Sequence, residues 1–164
     1  MTERELLARI GSGDERALEQ MYAVYYPRLG RFLWRLGLRP DEVEEAINDV
    51  FLIVWQKAAS FEGASSPSTW IMGIAYNKAL KRMKRRRPTT PLGAVMLVSV
   101  EPGGSGDVAA AVRKLPAKQR AVIVLTFEFG YSYREISQVL GCPENTVKTR
   151  MFSAKKALKA LLEA

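Results

Sequence analysis

Residues 130–150, GYSYREISQVLGCPENTVKTR, decide the fold of the C-terminal part of this 164-residue chain. Ser132 and Glu135 fit a capping box, in which the serine side chain caps a helix and the glutamate reaches back to it. Gly141 can adopt the positive φ that ends a helix, and Pro143 lies where the next helix begins, a position at which its missing N–H needs no partner. A helix, a tight glycine turn and a second helix predict a helix-turn-helix.

The second helix of this motif has an apolar face and a cationic face. The apolar positions recur every three or four residues and are most simply a core: Val147, Met151, Ala154, Leu158 and Leu161. The opposite face presents Lys148, Thr149, Phe152, Ser153, Lys155 and Lys156. Cations there can neutralise phosphates, and hydroxyl groups can hydrogen-bond to base edges. We therefore favour a DNA-binding face over a merely solvated helix.

A helix predicted from about Ser68 to Arg87 carries a different kind of polar face. Its apolar positions are Met72, Ala75, Tyr76, Ala79, Leu80 and Met83. The other face gathers Trp70, Ile74, Asn77, Lys78, Lys81, Lys84 and Arg85. An exposed Trp and Ile among cations suit single-stranded nucleic acid, because aromatic rings stack on bases and cations follow the backbone. The preceding loop, from Phe61 through Ser68, is placed to form a pocket for an extruded base.

A further helix is predicted from Asp41, which can cap it, to about Ala58. One face is an ordinary buried stripe of Val43, Ile47, Val50, Phe51, Val54 and Ala58. The opposite face carries Glu45, Asp49, Leu52 and Gln56. Lone exposed leucines need no explanation, so a solvated surface remains open here. The alternative is a docking face for a basic partner protein.

The remaining pattern predicts an all-α protein of two small domains joined by a flexible linker. Apolar residues fall at helical spacing from Asp14 to Leu38, and Pro27 is expected to kink or divide this run. Prolines and glycines interrupt residues 88–106, which we interpret as the linker, although its stretch Leu92–Val100 is unusually apolar. Four helices follow, at 107–114, 116–129, 132–140 and 143–162.

Composition excludes several classes of function. The chain has no histidine and one cysteine, Cys142, so an internal disulfide, His general bases and zinc sites of the usual ligand types are excluded. No apolar run reaches the roughly 20 residues of a membrane span, and the charged N-terminus does not resemble a secretory signal. We expect no cofactor, no metal, no membrane insertion and a cytoplasmic location.

The net charge of +8 is unevenly distributed. Residues 1–63 carry a net charge of −3, residues 64–107 carry +5, and residues 108–164 carry +6. Such asymmetry indicates different surfaces for different partners. The basic segments predict an anionic polymer as one of these partners.

Three stretches in order resemble the bacterial extracytoplasmic-function (ECF) RNA polymerase sigma factor family. Asp49-Val50-Phe51 with Trp55 and Ser60-Phe61 resembles the core-binding helix of the family. The run from Ser68-Thr69-Trp70-Ile71 through Ile74-Ala75-Tyr76-Asn77 to Arg85-Arg86-Arg87 resembles its promoter-melting helix. Residues 115–120, 130–136 and 146–150 resemble its second conserved domain. Together these stretches span most of the chain outside the linker.

The resemblance implies a function and a division of labour. Residues 1–88 would bind the clamp-helix coiled coil of core RNA polymerase and the −10 element, residues 89–107 would be the linker, and residues 108–164 would bind the −35 element as duplex DNA. The polymerase-binding residues would be Glu45, Asp49, Leu52 and Gln56. The −10 residues would be Phe61, Ser66, Trp70, Ile74, Asn77, Lys78, Lys81, Lys84 and Arg85. The −35 residues would be Tyr133, Thr146, Lys148, Thr149, Phe152, Ser153, Lys155 and Lys156.

Two departures from the family pattern bear on promoter choice. The family often carries Arg where this chain has Ser153, so the −35 contact there is expected to be weaker or to read another base. The loop from Gly63 to Ser68 lacks the charged residues common in relatives, which leaves the −10 preference open.

The resemblance predicts a monomeric, non-enzymatic initiation factor that helps to open the −10 region and is held inactive by an anti-sigma protein. The main alternative is a free-standing helix-turn-helix regulator that binds duplex DNA without polymerase. A third hypothesis is a metal-dependent nucleic-acid enzyme built on the acidic cluster Asp41, Glu42, Glu44, Glu45 and Asp49. The cluster has no evident general acid or base beside it, which disfavours this hypothesis.

Overall fold

The computed structural model describes residues 1–85 and 106–163, and within these ranges the chain is all-α. In the N-terminal half α1 spans Glu3–Gly11, α2 Glu15–Leu36, α3 Pro40–Lys57 and α4 Pro67–Arg85, with a 3-10 turn at Ala58–Ser60 after α3. In the C-terminal half α5 spans Gly106–Arg113, α6 Ala117–Phe127, α7 Tyr133–Leu140 and α8 Glu144–Glu163. The predicted fold class is confirmed. The apolar stretch Leu92–Val100 lies outside the described residues.

The predicted helix-turn-helix is formed by α7 and α8. Ser132 Oγ accepts a hydrogen bond from the Glu135 backbone N–H at 3.1 Å, and the Ser132 N–H donates to Glu135 Oε1 at 2.9 Å. The two bonds complete the capping box. Gly141 ends α7 at a φ of 67°, a left-handed conformation in which a Cβ would be strained.

The first helix, α1, was not predicted from the sequence, although it carries the same signal. Glu5 N–H donates to Thr2 Oγ1 at 3.1 Å, and Thr2 N–H reaches back to Glu5 Oε2 at 3.4 Å. Leu6, Leu7 and Ile10 form its buried face. The spacing Thr-x-x-Glu before an apolar run therefore marks the N-terminus of this helix.

The structure excludes one of the two outcomes expected at Pro27 and overturns the predicted cap at Asp41. Pro27 does not divide the predicted run, because α2 continues through it from Glu15 to Leu36. Buried residues on both sides of the proline, including Tyr25 and Leu29, hold the two segments of the helix against the core. Asp41 does not cap α3. Pro40 occupies the first turn instead, and the Glu42 carboxylate accepts a hydrogen bond from Arg39 N–H at 2.9 Å.

The two halves of the chain pack against each other, which the sequence did not predict. A continuous cluster of buried side chains runs from Leu6 in α1 to Ala154 in α8. The helix α4 packs along α7, and α2 packs along α6. At the first contact Gly73 permits close approach, because a Cβ at this position would lie 3.2 Å from the carbonyl oxygen of Val139.

Polar groups fix the same interface at three further points. Ser68 Oγ and the Tyr131 hydroxyl form a hydrogen bond across it. Arg35 Nε lies 2.9 Å from Glu128 Oε2. The Arg120 guanidinium donates to the carbonyl of Leu36 in the other half. The carbonyl of Leu36, at the C-terminal end of α2, thus gains a donor from the opposite half of the molecule.

No helix among residues 1–85 and 106–163 has both the length and the apolar character that crossing a membrane requires.

Candidate nucleic-acid interface

The groove between α3 and α4 brings together most of the predicted −10 residues. It has a volume of about 260 Å³. Five of its lining residues were predicted from the sequence: Trp70, Ile74, Asn77, Lys78 and Lys81. Ile53 and Lys57 from α3 also line it, and sequence reasoning missed both. A stripe of four-residue steps along α3 from Asp49 to Ile53 and Lys57 could have indicated that this face meets α4.

The aromatic wall of the groove is supported from behind. The rings of Phe61 and Trp70 lie 5.2 Å apart between centroids, and the Arg4 guanidinium carbon lies 5.9 Å from the centroid of the Phe61 ring. Trp70 and Ile74 are half-buried rather than exposed as predicted, because each packs partly against the core. A supported indole with amide and ammonium groups beside it can stack on a base and neutralise the phosphate next to it.

The loop before α4 is anchored by its own serines. Ser66 Oγ accepts the Thr69 backbone N–H at 3.1 Å and thereby caps the helix. Ser68 bonds to Tyr131 in the other half of the molecule. Burial raises the pKa of the Tyr131 hydroxyl, so the group stays protonated at neutral pH. Ser66 therefore caps α4 in the structure. Its contact with DNA stays a prediction.

The cations at the end of α4 extend the groove toward the solvent. Lys81, Lys84 and Arg85 are exposed, and Lys78 is half-buried. Positions 74, 78, 81 and 85 follow one face of the helix at steps of three and four residues. A single strand lying in the groove would therefore continue along a row of positive charge.

The predicted polymerase-binding face of α3 is present on the surface. Leu52 is 56% exposed, and Glu45 and Gln56 are also exposed. Asp49 is half-buried and shares a partner with Glu45. Arg82 of α4 donates from Nη1 to Glu45 Oε2 at 2.8 Å and from Nη2 to Asp49 Oδ2 at 3.2 Å. The sequence did not predict this ion pair.

The electrostatics of this ion pair favour the charged guanidinium. Partial burial opposes ionisation of Arg82, but the hydrogen bonds that Arg82 donates to the Glu45 and Asp49 carboxylates outweigh it, so the pKa of Arg82 is raised. The Arg82 side chain is 21% exposed. Solvent therefore still reaches the pair, and salt screens it.

The predicted −35 residues lie along α8, except Tyr133 at the start of α7, and most of their side chains are in solvent. Phe152 is 70% exposed, and Lys148, Thr149, Lys155 and Lys156 are exposed as well. Tyr133, Thr146 and Ser153 are half-buried. The Thr149 hydroxyl donates to the carbonyl of Asn145 at 2.9 Å, which leaves its oxygen lone pairs as acceptors toward a base edge. Val147, Met151 and Ala154 form the buried stripe on the opposite side.

A larger apolar groove, bounded mainly by the C-terminal half and also by α2, was not predicted. It has a volume of about 820 Å³ and lies among α2, α5, α6 and α8. Exposed apolar side chains line it, with Phe127 at 67%, Val108 at 47% and Leu162 at 46% exposure. Arg113, Lys155 and Lys159 also contribute to its lining. Glu128 and Glu163 line it as well, and an apolar patch bordered by charged residues is typical of a protein-docking surface.

Comparison with known proteins finds a family match for each half of the chain. The sigma-70 region 2 family matches residues 21–89, and the sigma-70 region 4 family matches residues 105–158. The chain is 31% identical to the ECF RNA polymerase sigma factor SigM of Mycobacterium tuberculosis, over 98% of this chain and 85% of that protein. It is 29% identical to the ECF RNA polymerase sigma-E factor of Escherichia coli K12, over 96% of this chain and 93% of that protein.

Two solved structures have the same overall arrangement. CnrH, solved with the cytosolic domain of CnrY, superposes with a TM-score of 0.78 at 28% identity, covering 98% of this chain and 97% of CnrH. RpoE from Bartonella quintana, solved with the anti-sigma factor NepR, gives a TM-score of 0.69 at 26% identity, covering 89% of this chain and 96% of RpoE.

Proposed function

Because this chain belongs to the ECF RNA polymerase sigma factor family, we propose that it directs core RNA polymerase to promoters through two separate surfaces. The groove between α3 and α4 captures bases of the −10 element, and the exposed face of α8 binds the −35 element as duplex DNA. The observation that carries this proposal is that the α3–α4 groove combines Trp70 with Asn77 and Lys78. Such a site fits an unstacked base better than it fits duplex DNA.

Each half has its own part in this mechanism. Residues 1–88 contain the polymerase-binding face of α3 and the −10 groove, residues 89–107 connect the halves, and residues 108–164 contain the −35 face. Glu45, Asp49, Leu52 and Gln56 would contact the clamp-helix coiled coil of the polymerase. Linking two weak DNA sites in one chain raises affinity through effective concentration.

Promoter opening follows from binding free energy in this proposal. The family consists of non-catalytic initiation factors, and we infer that this chain likewise lowers the cost of melting by binding the extruded bases. Each base stacked on an aromatic ring contributes about 1–3 kcal/mol, comparable with the cost of unstacking a step. The polymerase supplies the catalytic site, and we place the reaction in the cytoplasm, where transcription occurs.

A transcription assay tests the proposal directly. Core RNA polymerase is incubated with the full chain and fragmented genomic DNA, and the 5′ ends of the transcripts are sequenced. We expect new transcripts whose start sites share a −10 and a −35 sequence. Arg16→Gln, which removes an exposed cation of α2 outside both surfaces, is the matched control and should leave transcription intact. The absence of stimulation at every promoter would reject the proposal.

The free-standing regulator makes a different prediction for the same preparation. It requires tight, specific binding to duplex DNA without polymerase and gives no role to the −10 groove. Family membership favours the sigma factor over this alternative. Electrophoretic mobility shifts with and without core polymerase separate the two, since the sigma factor needs polymerase for tight promoter binding.

We further propose that an anti-sigma protein covers the large apolar groove among α2, α5, α6 and α8. The groove exposes Phe127, Val108 and Leu162 and is too apolar to be favourable in water. Two structural relatives were solved in complex with partner proteins, one of them an anti-sigma factor. Co-purification from native cells tests this: the wild-type chain should retain a partner that Phe127→Asp loses, with Arg16→Gln as control. Recovery of polymerase subunits alone would contradict it.

A further inference from the structure

Arg82 lies where the polymerase-binding face meets the −10 groove. The helices α3 and α4 run antiparallel, with Lys57 and Ile53 beside Trp70 and Ile74 in the groove. Farther along, Arg82 of α4 contacts Glu45 and Asp49 of α3. This ion pair stands one helical turn beyond Lys78, the half-buried cation of the groove. Arg82 therefore connects the polymerase-binding face of α3 with the end of the groove, next to Lys81.

One guanidinium at this place has two competing kinds of anionic partner. A guanidinium fork binds carboxylates and phosphates with the same geometry, so Glu45 and Asp49 can be replaced by a nucleic-acid backbone. The exchange is easy because the carboxylates are exposed, at 65% for Glu45 and 44% for Asp49. Ion pairs that accessible to solvent are weak. In the free protein, the same contacts neutralise two of the residues that polymerase is proposed to bind.

We propose that Arg82 couples polymerase binding to capture of the −10 strand by exchanging partners. Cations of the polymerase take over Glu45 and Asp49, and the released Arg82 guanidinium binds a phosphate of the strand in the groove. Coupling of this kind is reciprocal, so strand binding also favours polymerase binding. The proposal rests on the function proposed above and adds a residue that no surface prediction included.

Two affinities measured on full-length variants test the exchange. The first is the affinity for core RNA polymerase without DNA. The second is the affinity of the holoenzyme for a single-stranded oligonucleotide that carries the −10 element found in the transcription assay, measured over a range of salt concentrations. For Arg82→Gln we expect about two- to fivefold tighter polymerase binding, because a competitor for the carboxylates is removed. We expect the salt slope of strand binding to fall by about 0.7, the value for one lost phosphate contact of a single strand.

Lys84→Gln is the charge-matched comparison. It removes one positive charge two residues away, at an exposed side chain at the end of α4. It should weaken strand binding without the tightening toward polymerase, which separates competition for Glu45 and Asp49 from a general change in charge. In an Asp49→Asn background, Arg82→Gln should raise the affinity for core RNA polymerase by a smaller factor than it does in the wild-type chain. Circular dichroism checks that each variant retains its helices.

The outcomes distinguish the exchange from simpler roles. Weaker polymerase binding by Arg82→Gln would show that Arg82 only positions the carboxylates and would overturn the proposal. An unchanged salt slope, or tightening equal to that of Lys84→Gln, would overturn it as well. If the wild-type chain itself neither binds polymerase nor stimulates transcription, the proposed function fails rather than the exchange alone.

Discussion

Trp70 shows how one side chain can serve the core and the surface at once. Its ring contacts Phe61 and the buried cluster, and the same side chain lines the groove with Asn77 and Lys78. The sequence identified the residue because an indole among cations is unusual on a solvated helix. It could not reveal the support from Phe61 and Arg4, because these contacts depend on how α1 and the loop after α3 fold back onto α4.

Replacing Trp70 by Ala is expected to impair promoter opening while leaving duplex binding by α8 unchanged. The loss of one base–aromatic stack corresponds to about 1–3 kcal/mol, or roughly a 5- to 150-fold loss in the equilibrium for opening. Permanganate reactivity of thymines in the −10 region measures opening, and a mobility shift with a closed −35 fragment measures duplex binding. Trp70→Phe, which keeps an aromatic face, should retain most of the activity. An equal loss in both measurements would contradict the assignment.

The ends of the helices show how far local sequence signals can predict where a helix begins and ends. Capping boxes at Thr2 and Ser132 and the left-handed Gly141 are read from spacing alone. Pro27 shows the limit of such signals, because tertiary packing of α2 outweighs the intrinsic tendency of proline to interrupt a helix. Asp41 shows a second limit: several adjacent residues compete for a helix start, and Pro40 with Glu42 prevails.

The cap at Ser132 holds the helix-turn-helix in its conformation. Ser132→Ala removes the acceptor for Glu135 N–H and is expected to lower the free energy of unfolding by about 1 kcal/mol. Urea denaturation followed by circular dichroism measures the change. Ser132→Asp, which also accepts the N–H, is the control and should stay close to the wild type. A change well below 0.5 kcal/mol would indicate that tertiary contacts alone hold α7.

The cap at Asp14 makes the free energy of unfolding depend on pH in the acidic range. The hydrogen bond from Arg9 and the backbone N–H of Ala17 lower the pKa of Asp14 below its value of 3.8 in the unfolded chain. Its contribution is therefore fully present above about pH 3.8 and is lost as the pH falls through the lower folded value. Asp14→Asn keeps a capping acceptor without the charge, so its Tm should fall less steeply than that of the wild type below pH 4. Glu15→Gln, which removes a neighbouring exposed carboxylate, should follow the wild type. Parallel curves for all three proteins would contradict this.

At the scale of the whole molecule, the two halves pack against each other across an interface that the sequence pattern does not predict. Met72 and Tyr76 were predicted as apolar positions and are buried, but their periodicity does not say whether they contact their own half or the other. The contact depends on Gly73, whose missing Cβ lets α4 approach Val139. A glycine inside a helical pattern is the one signal that could have indicated a close helix crossing.

Gly73→Leu is expected to separate the halves while each keeps its helices. Even a Cβ would lie 3.2 Å from the Val139 carbonyl oxygen, so a leucine has no room unless α4 and α7 move apart. Small-angle X-ray scattering should show a larger radius of gyration, with helix content by circular dichroism nearly unchanged. Gly30→Leu, at a helical glycine with open space beside it, is the control. An unchanged radius would show that local repacking absorbs the side chain.

The positions of two tryptophans give the molecule an internal optical readout. Trp34 lines the large apolar groove and Trp70 lines the groove between α3 and α4, so each indole reports on a different surface. In a variant that retains only Trp70, an oligonucleotide should quench the tryptophan fluorescence. In a variant that retains only Trp34, the emission should shift to the blue when an apolar partner excludes water. Occupancy of the nucleic-acid and protein sites can thus be followed separately, in real time and without an attached dye.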